Sequence, residues 1–145
     1  MIKTFIRMCF ISNLLLIGLF ADATLLEKAN NLYYIQDKKI ESFELYKKAS
    51  DEGDMIAKAQ IAIMYFFGTG TKKDNYLAEY NFALVVPYLE FEANKGNAFA
   101  QYLYAYYRGN GFGFRGIKDP TEAKKWYKKA ANNGSKIAQK FLDKK

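Results

Sequence analysis

Between Asp119 and Gly134 the apolar residues Ala123, Trp126, Tyr127, Ala130 and Ala131 recur at i, i+3, i+4, i+7 and i+8, with lysines at most of the intervening positions. That spacing gathers them on one face of an α-helix. Asp119 or Thr121 is placed to cap the helix at its start, Pro120 suits its first turn, and Gly134 can take the left-handed conformation that closes it. A second helix then begins near Ser135 and carries Ala138 on its apolar side. Two rings beside alanines have a packing reason: the rings fill the space between helices, and the small side chains let a neighbouring helix approach. Burial of Trp126 and Tyr127 is worth about 1.5–3 kcal/mol each.

The same order of positions occurs twice upstream. Leu45-Tyr46-Lys47-Lys48-Ala49-Ser50 leads to Gly53, and Ala57, Ile61, Tyr65, Gly68, Gly70 and Asp74 follow. The next copy runs from Tyr88 to Lys95, closes at Gly96 and continues through Ala100 and Gln101 into a glycine-rich turn. Gly53, Gly96 and Gly134 thus mark equivalent helix ends. Leu25 to Ile35 also shows helical spacing and is expected to pack on the first unit as a cap. The expected fold is all-α, a superhelix of stacked antiparallel helix hairpins with about seven helices. Its parts are a cap over 24–36, repeats over 37–74 and 75–118, and a partial third repeat over 119–145.

These offsets resemble the Sel1-like repeat, a relative of the tetratricopeptide repeat. Its pattern reads Ala, Trp-Tyr, Lys-Ala-Ala, Gly, Ala-Gln, Leu-Gly, Tyr, then Gly-x-Gly-Val and Asp. The resemblance covers nearly all of residues 37–142 and implies a solenoid that binds other proteins. Three departures stand out. Lys58 occupies a position where the family has Gln, kept here at Gln101 and Gln139, and Ala62 and Ala105 replace a helix-packing Gly. The segment from Asp74 to Gly96 is seven residues longer than that from Asp119 to Gly134. Seven residues are two helical turns, so the apolar face is preserved, and Pro87 within them is expected to kink or divide the helix. In the turn from Arg108 to Gly116, either Gly109 and Gly111 or Gly111 and Gly113 match the family's glycine pair.

Half of the 145 residues are hydrophobic and only two are proline, in keeping with one helical domain. The first 23 residues stand apart. Lys3 and Arg7 precede an apolar run from Met8 to Phe20, broken only by Ser12 and Asn13, and Ala21-Asp22-Ala23 follows. This is the pattern of a secretory leader cut after Ala23, which leaves a single domain over 24–145 and predicts a periplasmic or secreted protein. An uncleaved leader is the alternative and the one expected route to a membrane. Cys9 leaves with the leader, and the chain has no histidine. Ser-His-Asp and Cys-His nucleophilic systems are therefore excluded from the mature chain, as are nitrogen and sulfur ligands for zinc, and no cofactor is expected. No Lys stands three residues after Ser12, Ser42, Ser50 or Ser135. Glu41 with Glu44 and Glu90 with Glu92 read as solvated helix surface. They keep one alternative open, an envelope hydrolase directed at β-lactams or the cell wall. Asp51, Glu52 and Asp54 lack the alternation of a calcium loop, and Asp54 reads as a helix cap.

The chain carries a formal charge of +7, which loss of the leader lowers by one unit. Such a surplus suits a partner protein with an acidic surface or, alternatively, an anionic glycan or lipid. If the first helix of each unit lines a concave face, the positions free of packing are candidates for contact. They are Glu44, Lys47 and Lys48, then Glu90 and Phe91, then Lys125, Lys128 and Lys129. Tyr102, Tyr104, Tyr106 and Tyr107 cannot all share one helix face, so at least one should be exposed, and Tyr104 and Tyr107 join the candidates. Arg108 and Arg115 flank the glycine-rich turn and could grip a carboxylate or phosphate, although the Gly-Lys-Ser/Thr ending of a phosphate loop is absent. Lysines alternate with rings over residues 124–129, but the rings occupy packing positions, so nucleic acid is not expected. The predicted function is non-enzymatic protein–protein interaction. The resemblance adds the roles of scaffold, envelope regulator or immunity protein that neutralises an effector. Self-association stays open, because short arrays need roughly three repeats for stability.

Overall fold

The computed structural model describes residues 25–144. The expected leader over residues 1–23, with Cys9 and its cleavage pattern, lies outside the described residues. Residues 25–34 form α1. There follow α2 (Lys39–Asp51), α3 (Met55–Phe67), α4 (Asn75–Asn94), α5 (Ala98–Asn110), α6 (Pro120–Asn132) and α7 (Lys136–Leu142). Seven helices and no strand occur among the described residues, an all-α helical repeat as the periodicity predicts. From α2 onward each helix packs on the next.

Short polar side chains start α3 to α7 by occupying backbone N–H groups that have no partner inside the helix, whereas α2 begins at Lys38 without a side-chain cap. Asp54 accepts from Ile56 and Ala57, Asn97 from Phe99 and Ala100, and Ser135 from Ala138. Asp74 caps α4 through the Leu77 N–H, and Asp119, not Thr121, caps α6 through that of Glu122. The connections α1–α2, α3–α4 and α5–α6 share one frame. The N–H groups of Lys38, Asp74 and Asp119 donate to the carbonyls of Leu32, Tyr65 and Arg108 at 2.9, 2.9 and 2.8 Å. Just before them, Gln36, Thr69 and Phe112 donate to Asn31, Met64 and Tyr107. Loops of different length therefore close on equivalent anchors.

This frame decides the glycine register. Gly68 and Gly70, at φ 67° and 72°, correspond to Gly111 and Gly113, at 79° and 71°. At Gly70 the requirement is also steric, since a Cβ there would lie 2.2 Å from the Lys39 carbonyl oxygen. Gly109 belongs instead to α5, where a Cβ would meet that of Ala123 at 3.4 Å, so α5 and α6 touch at this point.

The 20-residue α4 exceeds the 13-residue α6 by the two turns expected, but Pro87 does not divide it. Pro87 and Ala83, whose carbonyl loses its helical partner, are both exposed, so water can take up the freed acceptor.

The core has two parts. Ala29, Phe43, Tyr46, Ala49, Ala57, Ile61 and Met64 join α1, α2 and α3. A larger cluster runs from α3 to α7 around Phe82, Leu89, Leu103, Tyr107, Trp126 and Tyr127. Among the repeat positions read as packing, Tyr46, Ala57, Ala100, Ala123, Trp126, Tyr127, Ala130 and Ala138 are buried, while Tyr65 and Ala131 are half-buried. Polar side chains in the core find partners, Arg108 Nε excepted: Tyr34 Oη donates to Gln60 Oε1 at 2.8 Å. Gln101 Nε2 donates to the Ala93 carbonyl and its Oε1 accepts from Asn133, which ties the ends of α4 and α6 together.

Candidate functional site

Apolar residues surround α4 almost completely. One side buries Ala78, Phe82, Val85, Leu89 and Ala93. On the other, Tyr76 is 80% exposed, Tyr80 61%, Leu84 45% and Phe91 59%, with Tyr88 exposed beside them. At about 100° per residue these five side chains fall within roughly a third of the helix circumference. With about 200 Å² for each ring, the four aromatics expose on the order of 500 Å², near the upper end of the largest patch on a typical monomer. Sequence reasoning picks out only Phe91 on this face. The signal was nonetheless present, because a helix that is apolar all round is one that another surface covers.

The charged candidates lie where water reaches them. Glu44, Lys47 and Lys48 are exposed on α2, where Lys47 pairs with Asp51 at 2.8 Å. Glu90 is exposed on α4 and Arg115 in the loop before α6. On α6, Lys125, Lys128 and Lys129 are exposed together with Lys124. The Lys129 ammonium sits 3.9 Å over the Trp126 ring, and Lys125 reaches Glu122 at 3.6 Å.

Three candidates are corrected. Tyr107 is wholly buried and its hydroxyl donates to the Ala59 carbonyl at 2.8 Å, so it cannot meet a partner. Tyr104 is buried with its ring 5.2 Å from that of Trp126. None of the four clustered tyrosines is exposed, and only Tyr106 is half-buried. The reason is enclosure: α4 and α6 cover two sides of α5, and Tyr34 from α1 closes over Tyr102 at 5.9 Å. Arg108 is engaged inside the fold. It donates to Asp119 Oδ2 at 3.0 Å, and its Cζ lies 4.4 Å from the Phe114 ring centre. The backbone N–H of Glu122 and then the Arg108 guanidinium hold the Asp119 carboxyl below the usual carboxylate range. Arg108 thus clamps the loop shut.

The carboxylates behind the hydrolase alternative do not share one environment. Glu41, Glu44 and Glu90 are exposed, and Glu92 is half-buried and paired with Lys95 at 3.0 Å. Among the described residues no group of three or more His, Cys, Asp or Glu side chains is placed to hold a metal ion. Concavities lie at the C-terminal end of the array. One of about 320 Å³ opens between Tyr34, Tyr102 and the lysines Lys136, Lys140 and Lys144. Another of about 440 Å³ lies between Gly109 and Asn110 of α5, Pro120, Ala123 and Lys124 of α6, and Leu142 of α7.

No curated protein matches the chain. Among solved structures it is similar to a Sel1 repeat protein from Oxalobacter formigenes, at 31% identity and a TM-score of 0.44, over 83% of this chain and 47% of that one. It is also similar to a protective antigen present in uropathogenic Escherichia coli strains that displays an SLR fold, at 27% identity and a TM-score of 0.43, over 81% of this chain and 25% of that one. The chain therefore spans about half and about a quarter of the lengths of these two proteins. The family model described as Sel1 repeat matches residues 26–54, 56–84 and 98–135, each match starting in α1, α3 or α5 and running into the helix that follows. With about two thirds of its residues inside these matches and the hairpin frame repeated in each, the chain belongs to the Sel1 repeat family.

Proposed function

We propose that this chain is a non-enzymatic interaction module that docks a partner protein on the exposed face of α4, and that it works in the periplasm or outside the cell. Sel1 repeat proteins generally mediate protein–protein interaction and are generally not enzymes. The observation that supports the α4 face is the stripe of Tyr76, Tyr80, Leu84, Tyr88 and Phe91 opposite the core. Covering on the order of 500 Å² of apolar surface contributes about 12 kcal/mol gross. Association costs about 4–15 kcal/mol, so the apolar stripe can anchor a complex but needs a polar rim to complete it. Glu79, Asn81 and Glu90 border the stripe and can supply that rim. The leader pattern from Lys3 to Ala23 supports the location. A scaffold, an envelope regulator and an immunity protein all need such a surface and no chemistry of their own.

The test uses a chain with Tyr80→Lys, Leu84→Asp and Phe91→Asp, all on exposed positions. Tagged full-length protein from the producing cell should retain specific partners by cross-linking and mass spectrometry. The triple variant should lose them by about tenfold or more, the scale of an interface hot spot, while melting at the same temperature. Equal recovery of the same proteins by both chains would overturn the α4 reading.

A further inference from the structure

Along the exposed side of α4, Leu77, Tyr80, Leu84, Pro87 and Phe91 alternate three and four residues apart over two heptads, and each is exposed. This is the spacing of a seam along which one helix packs on another at a shallow angle. It lies opposite Phe82, Leu89 and Ala93 of the core and runs for about 21 Å at 1.5 Å per residue. The repeat does not require it. The N–H groups of Asp54, Asn97 and Ser135 donate to the carbonyls of Ala49, Glu92 and Ala130, which sets the three helices before them in one register. In that register Leu84, Pro87 and Phe91 correspond to Glu41, Glu44 and Lys48 of α2 and to Glu122, Lys125 and Lys129 of α6. Only α4 replaces these charged positions by apolar ones. Its charge is exceptional too. Alone among the described helices, α4 contains no Lys or Arg, although the chain carries a formal charge of +7. Glu79 and Glu90, about three turns apart, follow one edge of the seam, and neither pairs with a cation among the described residues. Glu92, beside the other edge, is held by Lys95 at 3.0 Å.

On the reading that α4 is the docking surface, we propose that this seam takes one amphipathic helix of a partner protein. The guest is about four turns long, with large apolar side chains three and four positions apart and Lys or Arg along the edge that meets Glu79 and Glu90. A helix matches the seam over its whole length, because its own ridges repeat every three and four residues. An extended segment repeats every two and falls out of step within a turn. Charge separates the remaining occupants. The α4 of a second copy brings the same acids and no base, so nothing on it answers Glu79 and Glu90. An anionic lipid surface repels both. Basic side chains on a guest helix complement that edge, hold the register and speed encounter.

A displayed library of helical peptides about five turns long, selected on the immobilised full chain and counter-selected on the α4 triple variant, tests the assignment. Enriched peptides should place apolar residues three and four apart and Lys or Arg along one edge. Glu79→Lys with Glu90→Lys should weaken their binding about tenfold or more, and changing the peptides' own bases to Glu should restore it. If the double variant melts below the unmodified chain, Glu79→Lys alone should move affinity in the same direction by a smaller factor. Absence of enrichment, enriched peptides that are acidic or lack the spacing, or affinities unchanged by the charge reversals would overturn the proposal. So would a dimer on sedimentation, or binding to phosphatidylglycerol vesicles, that the triple variant loses and no peptide replaces. If the triple variant loses cellular partners while no basic helix is enriched, the α4 docking surface stands and its helical occupant is refuted. Equal recovery of cellular partners by both chains would overturn the two together.

Discussion

Asp119 serves two structural purposes with one carboxylate. Its Oδ1 accepts the Glu122 N–H at 2.8 Å as a helix cap, and its Oδ2 accepts from Arg108 at 3.0 Å as a loop clamp. Both favour the ionised form, so its folded pKa lies below the ordinary value near 3.9. A lowered folded pKa means stability that is fully present above that ordinary value and lost as pH falls through the folded one. Asp119→Asn keeps a cap acceptor and removes the ion pair. The unmodified chain should therefore be the more stable of the two at pH 7 in urea denaturation, with the gap closing below about pH 4. The capping half of this role is legible in sequence, as an Asp before Pro120. The other half is not, because Arg108 reads as a free cation until the loop folds back on it. Tyr107, its neighbour, shows the same limit more sharply: its hydrogen-bond partner lies 48 residues away.

At the scale of the element, α4 carries most of what is particular to this chain. Periodicity and the seven-residue insertion place the helix correctly, since burial of one face every 3.6 residues leaves a mark on any window of sequence. What that mark does not tell is whether a second apolar face is covered by the chain's own fold or left open. That depends on which helices reach it, and α3 and α5 both pack on the face that holds Phe82 and Leu89. Pro87 on the solvent side leaves the helix unbroken at an energetic cost. Replacing it by alanine restores the N–H donated to the Ala83 carbonyl and should raise stability by about 1–3 kcal/mol, read as a shift of the urea midpoint at unchanged slope. An unchanged or lower midpoint would show that the restriction proline places on the unfolded chain offsets the missing hydrogen bond.

Across the whole molecule, tyrosine hydroxyls buried between helices set an alkaline limit. Burial holds the Tyr34 and Tyr107 phenols well above their ordinary value of 10 and pushes Tyr102 up to about 12. Their folded pKa values are raised, so the stability they contribute is complete below pH 10 and declines as pH rises through the folded values, because the unfolded chain releases these protons first. With the exposed phenols removed as Tyr76→Phe, Tyr80→Phe and Tyr88→Phe, the remaining phenolate absorbance and the loss of helical circular dichroism should appear together above pH 10 as one cooperative transition. Separate titration of these tyrosines in a chain that stays helical would contradict their enclosure.

The amino-acid order alone determined the helices, the hairpin repeat and the glycine that closes the first helix of each unit, because each rests on contacts within about one repeat and leaves a local spacing. Tertiary structure alone decided which tyrosines of α5 are enclosed, that Arg108 closes a loop, that Gly111 and Gly113 form the glycine pair of the α5–α6 turn, and that one face of α4 is left bare. Those outcomes depend on which neighbouring helices and loops reach each face, and no spacing within a helix records that.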